Sequence, residues 1–487
     1  MKIDCLRFLT LLSVFASFAP LSIHAAAERE CRNFLEEVDQ IVDRAGVRDA
    51  QEDRVKGHSY LRTNRFLASR VDQNLTDPQL DFLLQQMRRL DLNARRIETN
   101  NLPMTPRELL DNIRSKSFPE QIDVTGTLDE CGKLLLAVEK PSWGKLHKQI
   151  SAPMRYSLFS RLIGFYPITA IPFSRGIRKF QAKMTQTFAA PLSAVIDDAN
   201  VTIHTPPAGD PGDIAAILRE ASDNPLHIPM PSNAQLAQLY AHFAPSFAID
   251  TRGDFDRPGA VGWSDAGRIE IDRSTVRVYT LASHMAFEGQ ALLQLNYIVW
   301  FSERPKKGQF DMLGGALDGL IWRVTLASDG TPVLHDTIHP CGCYHLFFPS
   351  EKLRAKPPHP SLQEHAYVPQ ALPRLNPGER HTVWIESATH YVVRVTNEAM
   401  REGAPYVFSD YDELRSLAKS DGTRRSLFRP DGLVDGTERG ERLFFWPMGI
   451  ASAGAMRQWG HHATAFVGRR HFDDADLIEK AFAAVTN

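Results

Sequence analysis

Between His335 and His345 the chain reads His-Asp-Thr-Ile-His-Pro-Cys-Gly-Cys-Tyr-His. Three histidines and two cysteines in so short a run are ligands for borderline and soft metal ions, and zinc or copper suits imidazole and thiolate best. The run follows a hairpin turn expected at Asp329-Gly330, and Thr337 and Ile338 are β-branched, so extended backbone is expected here. In a strand, alternate side chains share a face, which places the odd-numbered His335, His339, Cys341, Cys343 and His345 together. Alternate residues are about 6.6 Å apart, too far for one straight strand to close a shell around one ion. A bend at Pro340 and Gly342, or a distant ligand from His284 or His461, must complete it.

Two other chemistries compete for the same residues. A Cys341–Cys343 disulfide makes a strained, easily reduced ring and implies thiol–disulfide redox function. A strand end with buried thiols and backbone-bonded histidines implies no chemistry at all. Elsewhere the signals are weaker. The metalloprotease pattern His-Glu-x-x-His is absent, and Gly262-Trp263-Ser264-Asp265-Ala266 lacks the closing glycine of a nucleophile elbow. Gly314, Gly315 and Gly319 lack a phosphate-loop lysine, so there is no nucleotide cofactor motif. Asp431, Asp435, Glu438 and Glu441 miss the calcium-loop spacing and read as a solvated turn.

The elements that must position this cluster belong to a β-rich half. Strands are expected at Ile269 to Ile271, Val276 to Leu281 and Leu292 to Phe301, then in hairpins pairing 320–326 with 333–338 and 382–385 with 391–395. The first half reads as helical. Phe34, Leu35, Val38, Ile41 and Val42 recur at helical spacing, and Leu80, Leu83, Leu84, Met87 and Leu90 do so after Asp77-Pro78. The expected fold is therefore α+β and multidomain, with an N-terminal helical domain (26–140) and a larger antiparallel β-rich C-terminal domain (231–487). At 487 residues, the chain exceeds what one core usually organises.

Lys2 and Arg7 precede the apolar stretch Phe8 to Leu21 and the small residues Ala25-Ala26-Ala27, the layout of a secretory signal peptide over 1–25. Export to a periplasmic or extracellular compartment is expected. Beyond that leader lie Cys31, Cys131, Cys341 and Cys343; Cys31 and Cys131 each share a helical face with apolar residues, and a disulfide between them is expected.

From Lys140 to Ile196 there is no acidic residue, whereas Lys145, Lys148, Arg155, Arg161, Arg175, Arg178, Lys179 and Lys183 are all basic. Within this connector (141–230), Leu162 to Phe173 is apolar, interrupted by Pro167 and Pro172, and too short to span a bilayer. Residues 145–183 suit an anionic membrane surface; a buried hairpin with a solvated basic rim is the competing expectation. A formal net charge of −2 offers no global attraction for nucleic acid. The expected function is an exported metal-binding protein, as an enzyme one of unspecified substrate. The alternatives are a noncatalytic envelope protein that binds membrane or protein partners, and a thiol–disulfide redox protein.

Overall fold

The computed structural model describes residues 19–71, 73–118, 122–139, 149–209, 212–357, 363–399 and 402–485. The charged start and most of the apolar core of the expected leader lie outside the described residues, as do Lys140, Lys145 and Lys148. The chain divides into two compact units: residues 1–48, 52–63 and 84–151 form the first, and 49–51, 64–83 and 152–487 the second. Residues 152–230 thus belong to the β-rich unit and do not form a separate linker.

Along the first part of the chain, α1 (Ala19–Ala45) leads through a hairpin of β1 (Asp53–Val55) and β2 (His58–Thr63) to α2 (Arg65–Val71) and α3 (Asp77–Asn100). Helices α4 (Met104–Ser117) and α5 (Val124–Glu139) follow. In the first unit α1 packs on α4, α5 and β2, burying the helical stripe of Phe34, Leu35, Val38, Ile41 and Val42. Cys31 on α1 and Cys131 on α5 are disulfide-bonded, both buried in that core. Arg62 is wholly buried, yet Asp91 and both oxygens of Glu98 accept from its guanidinium, which meets the requirement that an interior charge be paired.

The second unit adds α6 (Leu158–Ile163), α7 (Tyr166–Ala189), β3 (Val201–Thr205), α8 (Ile214–Ala221), α9 (Asn233–Phe243) and β4 (Ser246–Asp250). A small hairpin of β5 (Ala260–Trp263) and β6 (Ile269–Asp272) comes next, and then the long strands β7 (Arg277–Phe287), β8 (Gln290–Arg304), β9 (Gly315–Leu326) and β10 (Pro332–Ile338). After β11 (Leu346–Pro349) and β12 (Leu353–Ala355) come β13 (Glu379–Ile385), β14 (Val392–Ala399), β15 (Ala404–Pro405) and β16 (Val407–Asp410). The helices α10 (Asp412–Arg415), α11 (Arg442–Phe445) and α12 (Leu477–Ala481) and three short strands, β17 (Leu417–Ala418), β18 (Arg424–Arg425) and β19 (Phe482–Ala484), punctuate a largely irregular C-terminal stretch.

Two sheets carry the unit, in the orders β11-β10-β9-β8-β7-β16 and β14-β13-β4-β3-β15. Most neighbours in these sheets are antiparallel, as expected, but the sheets are mixed: β7 with β16, β4 with β13 and β3 with β15 pair in parallel. The strands that pair in parallel are far apart in sequence, so long connections supply the crossovers that parallel pairing needs.

Alternation explains the layering. Leu293, Leu295, Tyr297, Val299 and Phe301 of β8, with Leu320, Trp322 and Val324 of β9, enter a core that also holds Phe247, Ile249, Val383 and Val392 of the other sheet. Ile298, Trp300 and Ile321 point the opposite way, into a second core with Tyr411, Leu414, Met456 and Phe472. Both faces of the six-stranded sheet are therefore covered, so β8 is buried without a break from Ala291 to Phe301. No helix among the described residues is long and apolar enough to cross a membrane.

Candidate functional site

The ligand-rich segment is a strand end followed by a tight turn. β10 stops at Ile338; the N–H of Gly342 donates to the carbonyl of His339 at 2.7 Å, and that of His339 to the carbonyl of Cys343 at 3.0 Å. Gly342 has φ +91° and lies so close to the next loop that a Cβ would sit 2.6 Å from the Ala463 carbonyl oxygen. Only glycine meets both demands.

The turn ends the alternation that would have put the five residues on one face. His335 stays with the core between the sheets, against Trp322 and His381. Cys341 and Cys343 join the core on the other face. His345 also lies on that side, where its Nε2 is 2.8 Å from Asp336 Oδ2 and its ring stacks on Phe347. Zinc needs ligands converging within about 2.0–2.3 Å of one point. Among the described residues no three His, Cys, Asp or Glu side chains are grouped to hold a metal ion. The distant candidates lead elsewhere: His284 Nε2 is 2.6 Å from the Pro229 carbonyl, and His461 Nε2 is 2.6 Å from that of Ala50. Cys341 and Cys343 are free thiols, and hydrogen bonding to Cys341 together with burial pushes the Cys343 thiol well up, so it stays protonated and unreactive.

His339 belongs to a buried ionic chain that the sequence reading missed. Its Nδ1 is 3.3 Å from Asp318 Oδ1, the other oxygen of Asp318 is 2.8 Å from His390 Nδ1, and His390 Nε2 is 3.4 Å from Asp256. Burial works against charge on His390, but the two carboxylates outweigh it and raise its pKa; burial prevails at His339 and lowers its pKa. His339 therefore turns a neutral ring toward Tyr344 and Tyr391, with its Nε2 unpartnered. The chain carries no sequence signal because Asp256, Asp318 and His390 come from three separate segments.

Tyr344 and Tyr391 also line a cavity of about 530 Å³. That lies within the range of about 300–1,000 Å³ usual for small-molecule sites. One wall is α7, whose Phe173, Gly176, Ile177 and Phe180 repeat at three- and four-residue spacing; Cys343, Leu346, Phe444, Phe445 and Phe466 close the other sides. Gly176 opens this space: a Cβ there would meet nothing within 4 Å. A mid-helix glycine costs about 0.5–1 kcal/mol relative to alanine, and packing does not demand this one.

The lining is mainly apolar, and Glu441 is an exception. Its residue is 7% exposed, and among the described residues no donor reaches its carboxylate. Burial pushes its pKa up to about 7, against the pull of Arg439, Arg304 and Arg457. Its sequence neighbours Asp431, Asp435 and Glu438 all pair with Arg429, which leaves Glu441 to the cavity.

The cavity lies beside an exposed apolar surface. α6 is inverted relative to an ordinary amphipathic helix: Arg161 is buried, while Leu158, Phe159 (71% exposed), Leu162 (76%) and Ile163 face outward. Arg161 explains the inversion. Its Nε donates to the Met448 carbonyl at 2.8 Å, one Nη to that of Gly468 at 2.6 Å, and its guanidinium is stacked by Tyr156 and Tyr166. Gly164 lets the α6–α7 corner seat on Pro447, where a Cβ would come within 2.6 Å. Phe165, Ile168 and Ile171 continue the apolar surface along α7, and Leu443, Phe444 and Trp446 extend it from the adjoining α11 segment.

This corrects three expectations for the connector. The apolar segment is not a buried hairpin. Pro167 falls in the first turn of α7, where its missing N–H costs nothing, and Pro172 is absorbed within a helix that runs on to Ala189. Arg161 is an interior anchor and not part of the basic rim, which consists of exposed Arg175, Arg178, Lys179 and Lys183. On α7, Ile168, Ile171, Arg175, Arg178 and Lys179 follow one stripe opposite the cavity wall, apolar at its start and basic further on.

No protein-family model, no curated protein and no solved structure matches this chain.

Proposed function

We propose that this is an exported envelope protein that attaches peripherally to an anionic membrane surface through α6, the start of α7 and α11. The inverted helix carries the reading: large apolar side chains held outward by a buried arginine are costly in water and gain when immersed in lipid. Burying one such side chain is worth about 1.5–3 kcal/mol. The exposed basic residues further along α7 suit the headgroup layer, where each contributes about 1 kcal/mol near anionic lipid. The leader-like N-terminus and the Cys31–Cys131 disulfide support an oxidising compartment outside the cytoplasm.

Cosedimentation with phosphatidylglycerol-containing vesicles tests it. The mature protein is expected to pellet with them, and Phe159→Glu combined with Leu162→Glu to stay in the supernatant while keeping its fold. Wild-type protein that remains soluble at low salt, or a double variant that binds as well as wild type, defeats the proposal.

A further inference from the structure

The cavity meets the apolar surface at the α11 segment, so a molecule leaving the lipid layer has a short apolar route inward there. Phe444 belongs to both, lining the cavity while 62% exposed. Three features of the cavity restrict what it takes. Most of its wall is hydrocarbon and aromatic, which suits an alkyl chain. Gly176 holds open a space that any side chain would occupy. Glu441 presents the cavity with a buried carboxyl that has acceptor capacity and no donor from the protein. An acceptor that faces a cavity and has no protein donor is open to a hydrogen bond from a ligand.

We infer that the cavity binds a single-chain neutral amphiphile, its hydrocarbon tail along α7 at Gly176 and its hydroxyl-bearing end donating to Glu441. Monoacylglycerols and long-chain alcohols have this chemistry. A methyl ester of the same chain carries the same tail and has no donor. The source of the ligand rests on the membrane reading; its binding does not.

The test is equilibrium binding of radiolabelled monooleoylglycerol and methyl oleate, each below its aggregation concentration, to the mature protein. One saturable site is expected, with monooleoylglycerol held about tenfold more tightly, the discrimination of one hydrogen bond to a charged or strongly polar group. Gly176→Leu fills the cavity from a helical position with open space around it and is expected to abolish binding of both ligands. Glu441→Leu is expected to remove the preference between them. Absence of saturable binding by wild type overturns the inference, as does undiminished binding by a folded Gly176→Leu protein. Equal affinity of wild type for the two ligands overturns the role of Glu441. Phe159→Glu with Leu162→Glu separates the two proposals: bound ligand with lost vesicle attachment supports both, whereas vesicle attachment by wild type without saturable ligand binding leaves the membrane reading standing and removes this one.

Discussion

Glu441 shows how burial alone turns an ordinary side chain into a responsive one. Its pKa is raised from 4.5 to about 7, so folding favours its protonated form. The stability this contributes is complete below about pH 4.5, the unfolded value, and is lost as pH rises through 7. Glu441→Gln, neutral at every pH, is therefore expected to unfold at a higher temperature than wild type at pH 8 and to differ little from it at pH 5. The gain at pH 8 is on the order of a few kcal/mol. Calorimetric scans at the two pH values check this, and a difference that does not change with pH speaks against the buried, partnerless carboxyl. Other residues show why the ligand-rich segment is quieter than its composition suggests. Asp336 is claimed by Arg323 and His345, and His339 is held beside Asp318, so two of the three histidines are committed to partners within the core.

Among the elements, α1 and α5 are joined by a cross-link that spans 100 positions of chain. Closing so long a loop restricts the unfolded state strongly, and loss of the bond typically costs about 2–5 kcal/mol. Replacing Cys31 and Cys131 together by serine is expected to lower the stability of the first unit by that amount, read as a lower urea midpoint at unchanged slope, and adding reductant to wild type should reproduce the shift. An unchanged midpoint would show that packing of α1 on α5 suffices. These helices were legible because their apolar residues recur at helical spacing and their cysteines fall on the apolar face. The β9–β10 hairpin was legible for a similar reason, with Asp329-Gly330 between two apolar runs and Gly330 at φ +83°. α6 was not, because the periodicity that marks a buried face is here turned outward by Arg161. Its anchors, Met448 and Gly468, are remote in sequence.

At the scale of the molecule, charge is nearly balanced overall and strongly polarised locally. If the basic stretch of α7 faces lipid headgroups, attachment must weaken as salt shortens the Debye length, which is about 10 Å at 0.1 M. Vesicle binding is expected to fall steeply between about 50 and 300 mM salt, roughly a third and twice physiological strength. Arg178→Glu with Lys179→Glu should lower it at 50 mM and flatten its dependence on salt. Binding that ignores both salt and charge reversal would mean that the apolar surface acts alone.

The sequence by itself determined what is local: helices and strands set by periodicity, turns set by glycine and aspartate, the division into a helical and a β-rich part, and a basic segment without acids. It also marked His335 to His345 as unusual. The tertiary structure alone decided what that segment does, because Gly342 turns the chain and sends its side chains to both faces of a sheet. The cavity, the unpartnered Glu441, the outward face of α6 and the chain of Asp256, His390, Asp318 and His339 all assemble from distant segments. Their properties arise from burial and from the neighbours burial supplies, and neither is a property of a residue within its own stretch of chain.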